Sequence, residues 1–253
     1  MSLAIDLSGQ IALVTGCKRG IGLAICETLA EAGADIIGVS ASLEAQGSAA
    51  EAAVRSAGRE FTARRCDFSD RDATLAFAAE MEARDDISIL VNNAGTIRRA
   101  PAATHPLQDW DHVQAVNCDA PFILTQALGR SMLKRGSGRI VFVASVLSFQ
   151  GGINVPGYAA SKGAIAQMVR AFSNEWAARG INVNGIAPGY IATDNTAALQ
   201  ADPDRTRALM QRIPVNRWGT PEEIAGPIAF LCSDLARFIH GAILPADGGW
   251  MSR

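Results

Sequence analysis

Short runs of β-branched and other apolar residues alternate along the chain with alanine-rich stretches that favour helix. The apolar runs predict strands at 11–15, 35–40, 60–64, 87–91, 139–144, 181–186 and 242–245. The stretches between them predict helices near 20–32, 43–57, 70–83, 107–135, 158–179 and 221–231. Strands that alternate with helices form right-handed crossovers and a largely parallel sheet. Such strands are buried on both faces, which explains a continuous apolar run such as Ile140-Val141-Phe142-Val143.

The pattern predicts one α/β domain over 1–253, a doubly wound Rossmann-type fold with a parallel seven-stranded sheet and helices on both faces. No internal repeat, low-complexity tract or linker marks a second domain. The alternation breaks at 189–220, a polar stretch that contains Asp202-Pro203-Asp204. Because doubly wound folds bind ligands at the carboxyl ends of the strands, we predict a substrate lid here. Composition alone equally allows an ordinary surface excursion.

Composition narrows the function classes. The chain has 253 residues, 49% of them hydrophobic, which is enough for a substantial core. Its formal net charge of −2 gives no general attraction to nucleic acid or to an anionic membrane. The five cysteines are scattered without Cys-x-x-Cys spacing, and the three histidines form no metal-binding motif. The N-terminus does not read as a signal peptide, and no apolar run reaches the ~20 residues of a membrane span. We therefore expect reduced thiols, no metal site and a cytoplasmic protein.

Tyr158 and Lys162 form the most informative pair in the chain. They stand four residues apart in a predicted helix, although the chain has only two tyrosines and three lysines. Residues at this spacing share one helix face. A free tyrosine has a pKa of about 10, and a neighbouring positive charge lowers that value. The pair therefore predicts an acid/base group that exchanges a proton with a substrate oxygen. Taken in isolation, the same spacing also fits two surface side chains.

A glycine-rich turn follows the first predicted strand. Gly16, Gly20 and Gly22 appear in the order Gly-x-x-x-Gly-x-Gly, directly before an alanine-rich helix. Glycines allow a tight turn and let backbone N–H groups approach a pyrophosphate at a helix N-terminus. The turn therefore predicts a dinucleotide site. The end of the second strand carries no acidic residue that would hold the ribose of NAD, whereas Arg19 could pair with the 2′-phosphate of NADP. Lys18 and Arg19 equally fit a solvated loop, so the choice between NAD and NADP stays open.

Together these features resemble the short-chain dehydrogenase/reductase family. The glycine-rich turn, Asn93-Ala94-Gly95 after the fourth strand, Ser145 after the fifth and Pro188-Gly189 after the sixth occur in the family's order. Ser145 precedes Tyr158 by thirteen positions, the usual interval in that family. The resemblance covers essentially the whole chain. It implies an oxidoreductase that uses a nicotinamide cofactor.

The resemblance also implies a role for individual residues. Tyr158 would be the general acid/base, Lys162 would lower its pKa, Ser145 would polarise the reacting carbonyl, and Asn117 would anchor a water in the proton relay. The implied cofactor-binding residues are Gly16, Lys18, Arg19, Gly20, Ile21, Gly22, Ser40, Asp67, Asn93, Ala94, Gly95, Tyr158, Lys162, Pro188, Gly189, Ile191 and Thr193.

Segments outside the shared motifs resemble the subgroup of sugar-acid dehydrogenases that act on 2-deoxy-D-gluconate or ketodeoxyuronates. A polyhydroxy carboxylate needs a cation for its carboxylate and amides for its hydroxyl groups. The predicted substrate-binding residues are Arg98, Ser145, Gln150, Asn154, Tyr158, Tyr190 and Asn195. Arg99 could take the place of Arg98, and both arginines could equally lie in a solvated loop.

Three other functions compete with this interpretation. Gluconate 5-dehydrogenases are close neighbours of the same subgroup. A 3-oxoacyl-(acyl carrier protein) reductase is the second, because Lys134-Arg135 could dock an acidic carrier protein. A catalytically silent nucleotide-binding regulator is the third, although it would not need Ser145, Tyr158 and Lys162. The resemblance further implies a homotetramer.

Overall fold

The computed structural model describes residues 4–253; residues 1–3, the start of the segment that was predicted not to be a signal peptide, lie outside them. Seven strands form one parallel sheet in the order β3-β2-β1-β4-β5-β6-β7. Their bounds are β1 Ile11–Thr15, β2 Asp35–Val39, β3 Phe61–Arg64, β4 Ile87–Asn92, β5 Gly138–Val143, β6 Ile181–Pro188 and β7 Ile243–Ala246. The strand order reverses between β1 and β4, which places a ligand crevice at their carboxyl ends. The predicted Rossmann-type sheet is confirmed.

Helices pack against both faces of this sheet. Their bounds are α1 Gly20–Glu31, α2 Ala49–Ser56, α3 Arg71–Glu82, α4 Leu107–Gln114, α5 Ala120–Arg135, α6 Pro156–Trp176, α7 Ala197–Gln200, α8 Pro203–Arg212 and α9 Glu222–Cys232. Because side chains alternate along a strand, Val14 of β1 joins the core under α1 and α9. Its neighbour Leu13 joins the core under α3, α5 and α6. None of the described helices combines the length and apolar character that crossing a membrane would need.

Helix α2 begins later than the sequence predicts. The expected start near residue 43 is wrong, because Ser48 caps the helix and ends the preceding turn. The Ser48 hydroxyl accepts a hydrogen bond from the Glu51 amide at 3.0 Å. The Glu51 carboxylate in turn accepts from the Gly47 amide at 2.7 Å. The first bond caps the N-terminus of α2, and the second fixes the turn that precedes it.

Two other helical regions differ from their predictions. The single helix expected over 107–135 is divided by a π-helical turn at Ala115–Asp119, a wider turn that often marks functional sites. The stretch 189–220, for which no helix is predicted, contains α7 and α8. The Asp202 carboxylate accepts from the amides of Asp204 and Arg205 and so caps α8, with Pro203 as its first residue.

Candidate active site

A large cleft of about 970 Å³ opens at the carboxyl ends of the strands. It is bordered by the turns that follow β1, β4 and β5, by the first turns of α6, and by the segment from Pro188 to α8. Most predicted site residues line it: Gly16, Lys18, Arg19, Gly20, Ile21, Gly22, Ser40, Asp67, Asn93, Ala94, Gly95, Ser145, Gln150, Tyr158, Lys162, Pro188, Gly189, Tyr190, Ile191, Thr193 and Asn195. The fold therefore brings together residues from seven parts of the sequence.

Lys162 is held in place beside Tyr158 on α6. Its ammonium lies 5.6 Å from the centroid of the Tyr158 ring and donates a hydrogen bond to the Val143 carbonyl at 2.7 Å. Only 5% of Lys162 is exposed, and this burial lowers its pKa to about 8. Because this value is still above 7, most of the ammonium stays charged at neutral pH.

The environment of Tyr158 contains opposing influences. Burial raises the pKa of its phenol and outweighs the other effects. The Ser145 hydroxyl and the charge of Arg99 act in the other direction and lower that pKa. The sequence assigns the lowering to Lys162, whose ammonium lies beside the ring, and the structure adds Ser145 and Arg99 as further groups that lower this pKa. Arg99 thus joins the group around the phenol.

Ser145 is oriented by the turn that it caps. Its hydroxyl oxygen accepts a hydrogen bond from the Leu147 amide at 3.1 Å. The turn is tied to α6 because the Ser148 hydroxyl donates to the Lys162 carbonyl at 2.7 Å. A hydroxyl that already accepts one bond still has its proton to donate. Ser145 can therefore donate to an oxygen placed in the cleft.

Asn117 lies in the π-helical turn and does not line the cleft. Its amide accepts from the Thr96 amide at 2.8 Å and donates to the Thr96 carbonyl at 2.9 Å and to the Ser161 hydroxyl at 3.1 Å. The side chain is 1% exposed. These bonds join the loop after β4 to α6 beside Lys162. Its role in a proton relay stays a prediction.

The glycine-rich turn is packed too closely for larger residues. A Cβ atom on Gly22 would lie 2.0 Å from the Gly16 carbonyl oxygen. The Asn93 amide donates to the carbonyls of Thr15 and Gly16 at 2.8 and 3.2 Å and fixes the turn. Helix α1 begins here with no side-chain cap on its free amides. Free amides at a helix N-terminus bind phosphate groups, so this turn fits the pyrophosphate of a dinucleotide.

The adenosine end of the cleft contains two cations, each already paired with an acid. Lys18 lies 2.6 Å from a Glu44 carboxylate oxygen, and Arg19 lies 3.2 Å from one of Asp194. Ser40 stands at the end of β2, where its hydroxyl accepts from the Lys18 amide at 3.3 Å. These residues fit NAD and NADP alike.

Comparison with known proteins identifies the family. The family model described as enoyl-(acyl carrier protein) reductase matches residues 16–251. The chain is 60% identical over 249 residues to 2-dehydro-3-deoxy-D-gluconate 5-dehydrogenase from Pseudoalteromonas atlantica, which covers 98% of each chain. It is 49% identical over 250 residues to the protein of that name from Bacillus subtilis, with 99% of this chain and 98% of the relative covered. The chain belongs to the short-chain dehydrogenase/reductase family.

A solved structure extends this similarity to the fold. The chain is 44% identical to an Agrobacterium tumefaciens protein whose proposed identity is 2-deoxy-D-gluconate 3-dehydrogenase and whose crystal structure contains NADP. The match covers 100% of both chains with a TM-score of 0.93. The predicted family, and with it an NAD(P)-dependent oxidoreductase that acts on CH–OH groups, is confirmed.

Two residues predicted to bind substrate in this dehydrogenase/reductase lie outside the cleft. Arg98 turns towards α4, where its guanidinium is 3.7 Å from an Asp109 carboxylate oxygen and 3.5 Å from the His112 ring. The next residue, Arg99, lines the cleft instead, because adjacent residues of an extended loop point to opposite sides. Asn154 is exposed in a left-handed turn with φ of 61°. The Asn154 carbonyl accepts from the Ala100 amide at 3.0 Å, which suits a turn residue.

Part of the cleft wall is formed by residues that were not predicted from the sequence. Arg205, Leu209 and Arg212 of α8 line the cleft, together with Trp250 near the C-terminus. The first three residues follow helical spacing, a signal that the sequence contains once Asp202-Pro203 is read as a helix start. Among residues 4–253, no three His, Cys, Asp or Glu side chains cluster as a metal ion would require.

Proposed function

We propose that this enzyme interconverts a hydroxyl and a ketone on a six-carbon sugar acid of the 2-dehydro-3-deoxy-D-gluconate class, with C5 as the reacting carbon. The observation that carries the proposal is a cleft that joins Ser145 and Tyr158 to three arginines, Arg99, Arg205 and Arg212. Such a cleft suits a small hydroxylated anion. The names of the relatives that are 60% and 49% identical supply the class and the carbon.

The residues of the chain manage the proton and the charge on the reacting oxygen. During oxidation Tyr158, as phenolate, accepts the hydroxyl proton, and during reduction its phenol returns one. Ser145 donates a hydrogen bond to the same oxygen and stabilises the charge that develops there. Lys162 keeps a positive charge beside the phenol. When bound, the nicotinamide would accept or supply the hydride.

The cofactor would lie along the wall of the cleft that the glycine-rich turn forms. The amides at the start of α1 would hold the pyrophosphate, and Asp67 and Ser40 would hold the adenosine end. Pro188, Gly189, Ile191 and Thr193 would contact the nicotinamide half. We propose that the segment 189–220, which contains α7 and α8, closes over the substrate as a lid.

A substrate screen tests this function. Purified enzyme should oxidise 2-dehydro-3-deoxy-D-gluconate and should turn over 2-deoxy-D-gluconate and D-gluconate more weakly. The assay measures the absorbance of the reduced nicotinamide that forms from NAD or from NADP. Acetoacetyl thioesters serve as the comparison substrates. Efficient thioester reduction without sugar-acid turnover would overturn the proposal and favour a carrier-protein reductase.

The structure gives a reason to prefer the sugar acid over the carrier-protein substrate. Of the two basic residues at the end of α5, Arg135 donates to the Ile87 carbonyl at 2.8 Å and to the carbonyl of Asp85. Both residues are exposed, but the Arg135 guanidinium ties α5 to the start of β4, so Lys134 is the cation of the pair that can reach a partner. One lysine forms a poor docking site for an acidic carrier.

We also propose that the enzyme is a cytoplasmic homotetramer. Phe122 of α5 is 42% exposed and stacks on Phe172 of α6 with 6.0 Å between ring centroids, so an apolar face runs across both helices. Phe238 is 96% exposed near β7 and could mark a second contact. Multi-angle light scattering should give the mass of four chains for the wild type. Phe122→Glu should shift that mass to smaller species, and a monomeric wild type would contradict the assembly.

A further inference from the structure

The last turn of the chain joins the lid to the loop that contains Ser145. Gly248 and Gly249 adopt φ of 64° and 88° and reverse the chain after β7, while the Asp247 carboxylate accepts from the Gly249 and Met251 amides at 2.9 Å. The reversal buries Trp250, which is 4% exposed and packs with Val146 after β5 and with Ile213 after α8. Trp250 thus forms part of the floor of the cleft.

Arg212 lies flat on this tryptophan. The central carbon of its guanidinium is 3.8 Å from the Trp250 ring centroid, and one of its nitrogens is 3.5 Å from the Gln150 side-chain oxygen. Stacking on an aromatic ring orients a guanidinium without neutralising it. None of the ion pairs found among residues 4–253 includes Arg212. The cleft therefore contains a held cation with no protein anion beside it.

A second observation at the same place also indicates a ligand. The indole N–H of Trp250 is buried and has no hydrogen-bond acceptor within the described part of the chain. Buried donors without acceptors are rare in folded proteins. A donor that lacks an acceptor, next to a cation that lacks an anion, matches the oxygens of a carboxylate.

The position of this pair suits the end of the substrate that does not react. The charge of Arg99 lowers the pKa of Tyr158, so Arg99 lies on the reacting side. The charges of Arg212 and, to a smaller extent, Arg205 instead act on Tyr190 of the lid and lower its pKa against the effect of burial. Tyr190 in turn contacts the Trp250 ring, with 4.8 Å between centroids. In a sugar acid that reacts at C5, the carboxylate is at the opposite end of the carbon chain.

We propose that Arg212, positioned by Trp250, binds the substrate carboxylate and selects sugar acids over uncharged sugars. The inference rests on the proposed function, because it assumes a sugar-acid substrate that reacts at C5. Gln150 completes the site as a neighbour of the guanidinium. Trp250 is a positioning residue, and its N–H supplies a further donor.

Paired substrates test this carboxylate site. The enzyme is assayed with 2-dehydro-3-deoxy-D-gluconate and with 3-deoxy-D-fructose, in which a CH2OH group replaces the carboxylate. Arg212→Gln should lower kcat/KM for the acid by about a hundredfold, mainly through KM, and should change it little for the uncharged sugar. Trp250→Phe keeps the ring under the guanidinium and loses the N–H, so about a tenfold loss with the acid alone is expected.

Arg207→Gln is the matched control. Arg207 is on the same helix, but it pairs with Asp204 at 3.1 Å and does not line the cleft. Its substitution should leave both substrates unaffected. Equal losses for the acid and the uncharged sugar in Arg212→Gln would overturn the inference, as would loss of discrimination in Arg99→Gln but not in Arg212→Gln. A wild type that reduces thioesters and ignores both sugars would instead overturn the proposed function itself.

Discussion

Replacing Tyr158 with phenylalanine is expected to lower kcat by about three orders of magnitude, within the range of 10²–10⁴ typical of a lost general acid/base. The substitution removes one hydroxyl and keeps the ring that packs beside Lys162. Cofactor binding should change little, because the pyrophosphate site at the start of α1 is untouched. Steady-state kinetics with the sugar acid measure the first effect, and a titration of NADPH fluorescence measures the second.

The other tyrosine of the chain provides the comparison. Tyr190 also lines the cleft, but it packs on Trp218 and Trp250, with centroid distances of 5.9 and 4.8 Å. Tyr190→Phe should therefore cost less than about tenfold in kcat/KM, the effect of one lost hydrogen bond at most. Turnover of Tyr158→Phe near the wild-type rate would remove Tyr158 from its assigned role. Comparable losses of activity in both variants would show that any substitution in the cleft lowers the rate, and that the Tyr158 hydroxyl has no special role.

The sheet could be predicted almost completely from the sequence, for a physical reason. Strands buried on both faces are largely apolar, so β1 and β5 appear as nearly continuous apolar runs. Helix ends are harder to predict because one hydrogen bond decides them. Ser48 begins α2 through a single amide contact with Glu51, a detail that the alanine-rich composition around it conceals.

Backbone-determined parts of the site were also predictable. Positions 16 and 22 must be glycine because a Cβ atom there would clash with neighbouring atoms. Tyr158 and Lys162 share one helix face because they are four residues apart. Side-chain direction in an irregular loop has no such periodicity. The sequence could therefore not decide between Arg98 and Arg99, which the structure turns to opposite sides.

The part of the cleft that lies near the C-terminus could not be predicted from the sequence, for a different reason. Trp250 and Val146 are far apart in sequence, and they pack together only because β5 and β7 both flank β6 in the sheet. The positive φ angles at Gly248 and Gly249 then direct the tryptophan under Arg212 of α8. No local pattern encodes such a contact. A functional residue that depends on strand order is thus outside the reach of motif analysis.

Replacing Lys162 with methionine is expected to raise the apparent pKa of Tyr158 by about two. A unit charge roughly 6 Å from the phenol ring, at an effective dielectric constant of about 20, stabilises the phenolate by about 3 kcal/mol. One pKa unit corresponds to about 1.4 kcal/mol, which gives the expected shift. The lowered pKa of Lys162, about 8, leaves the wild-type ammonium charged at pH 7, so the full effect is present there.

The two reaction directions should respond to this substitution in opposite ways. Oxidation needs the phenolate. At a pH below the pKa of Tyr158, the phenolate fraction falls tenfold for each unit by which that pKa rises, so the oxidation rate at pH 7 should fall about a hundredfold. Reduction needs the protonated phenol, so its plateau should extend to higher pH, with a smaller loss from weaker cofactor binding.

Profiles of kcat against pH in both directions, recorded for wild type and Lys162→Met, measure these shifts. Lys162→Arg retains the charge and should keep the wild-type midpoints. Unchanged midpoints in Lys162→Met would mean that Ser145 and Arg99 alone set the acidity of Tyr158, and that Lys162 serves only to bind the cofactor.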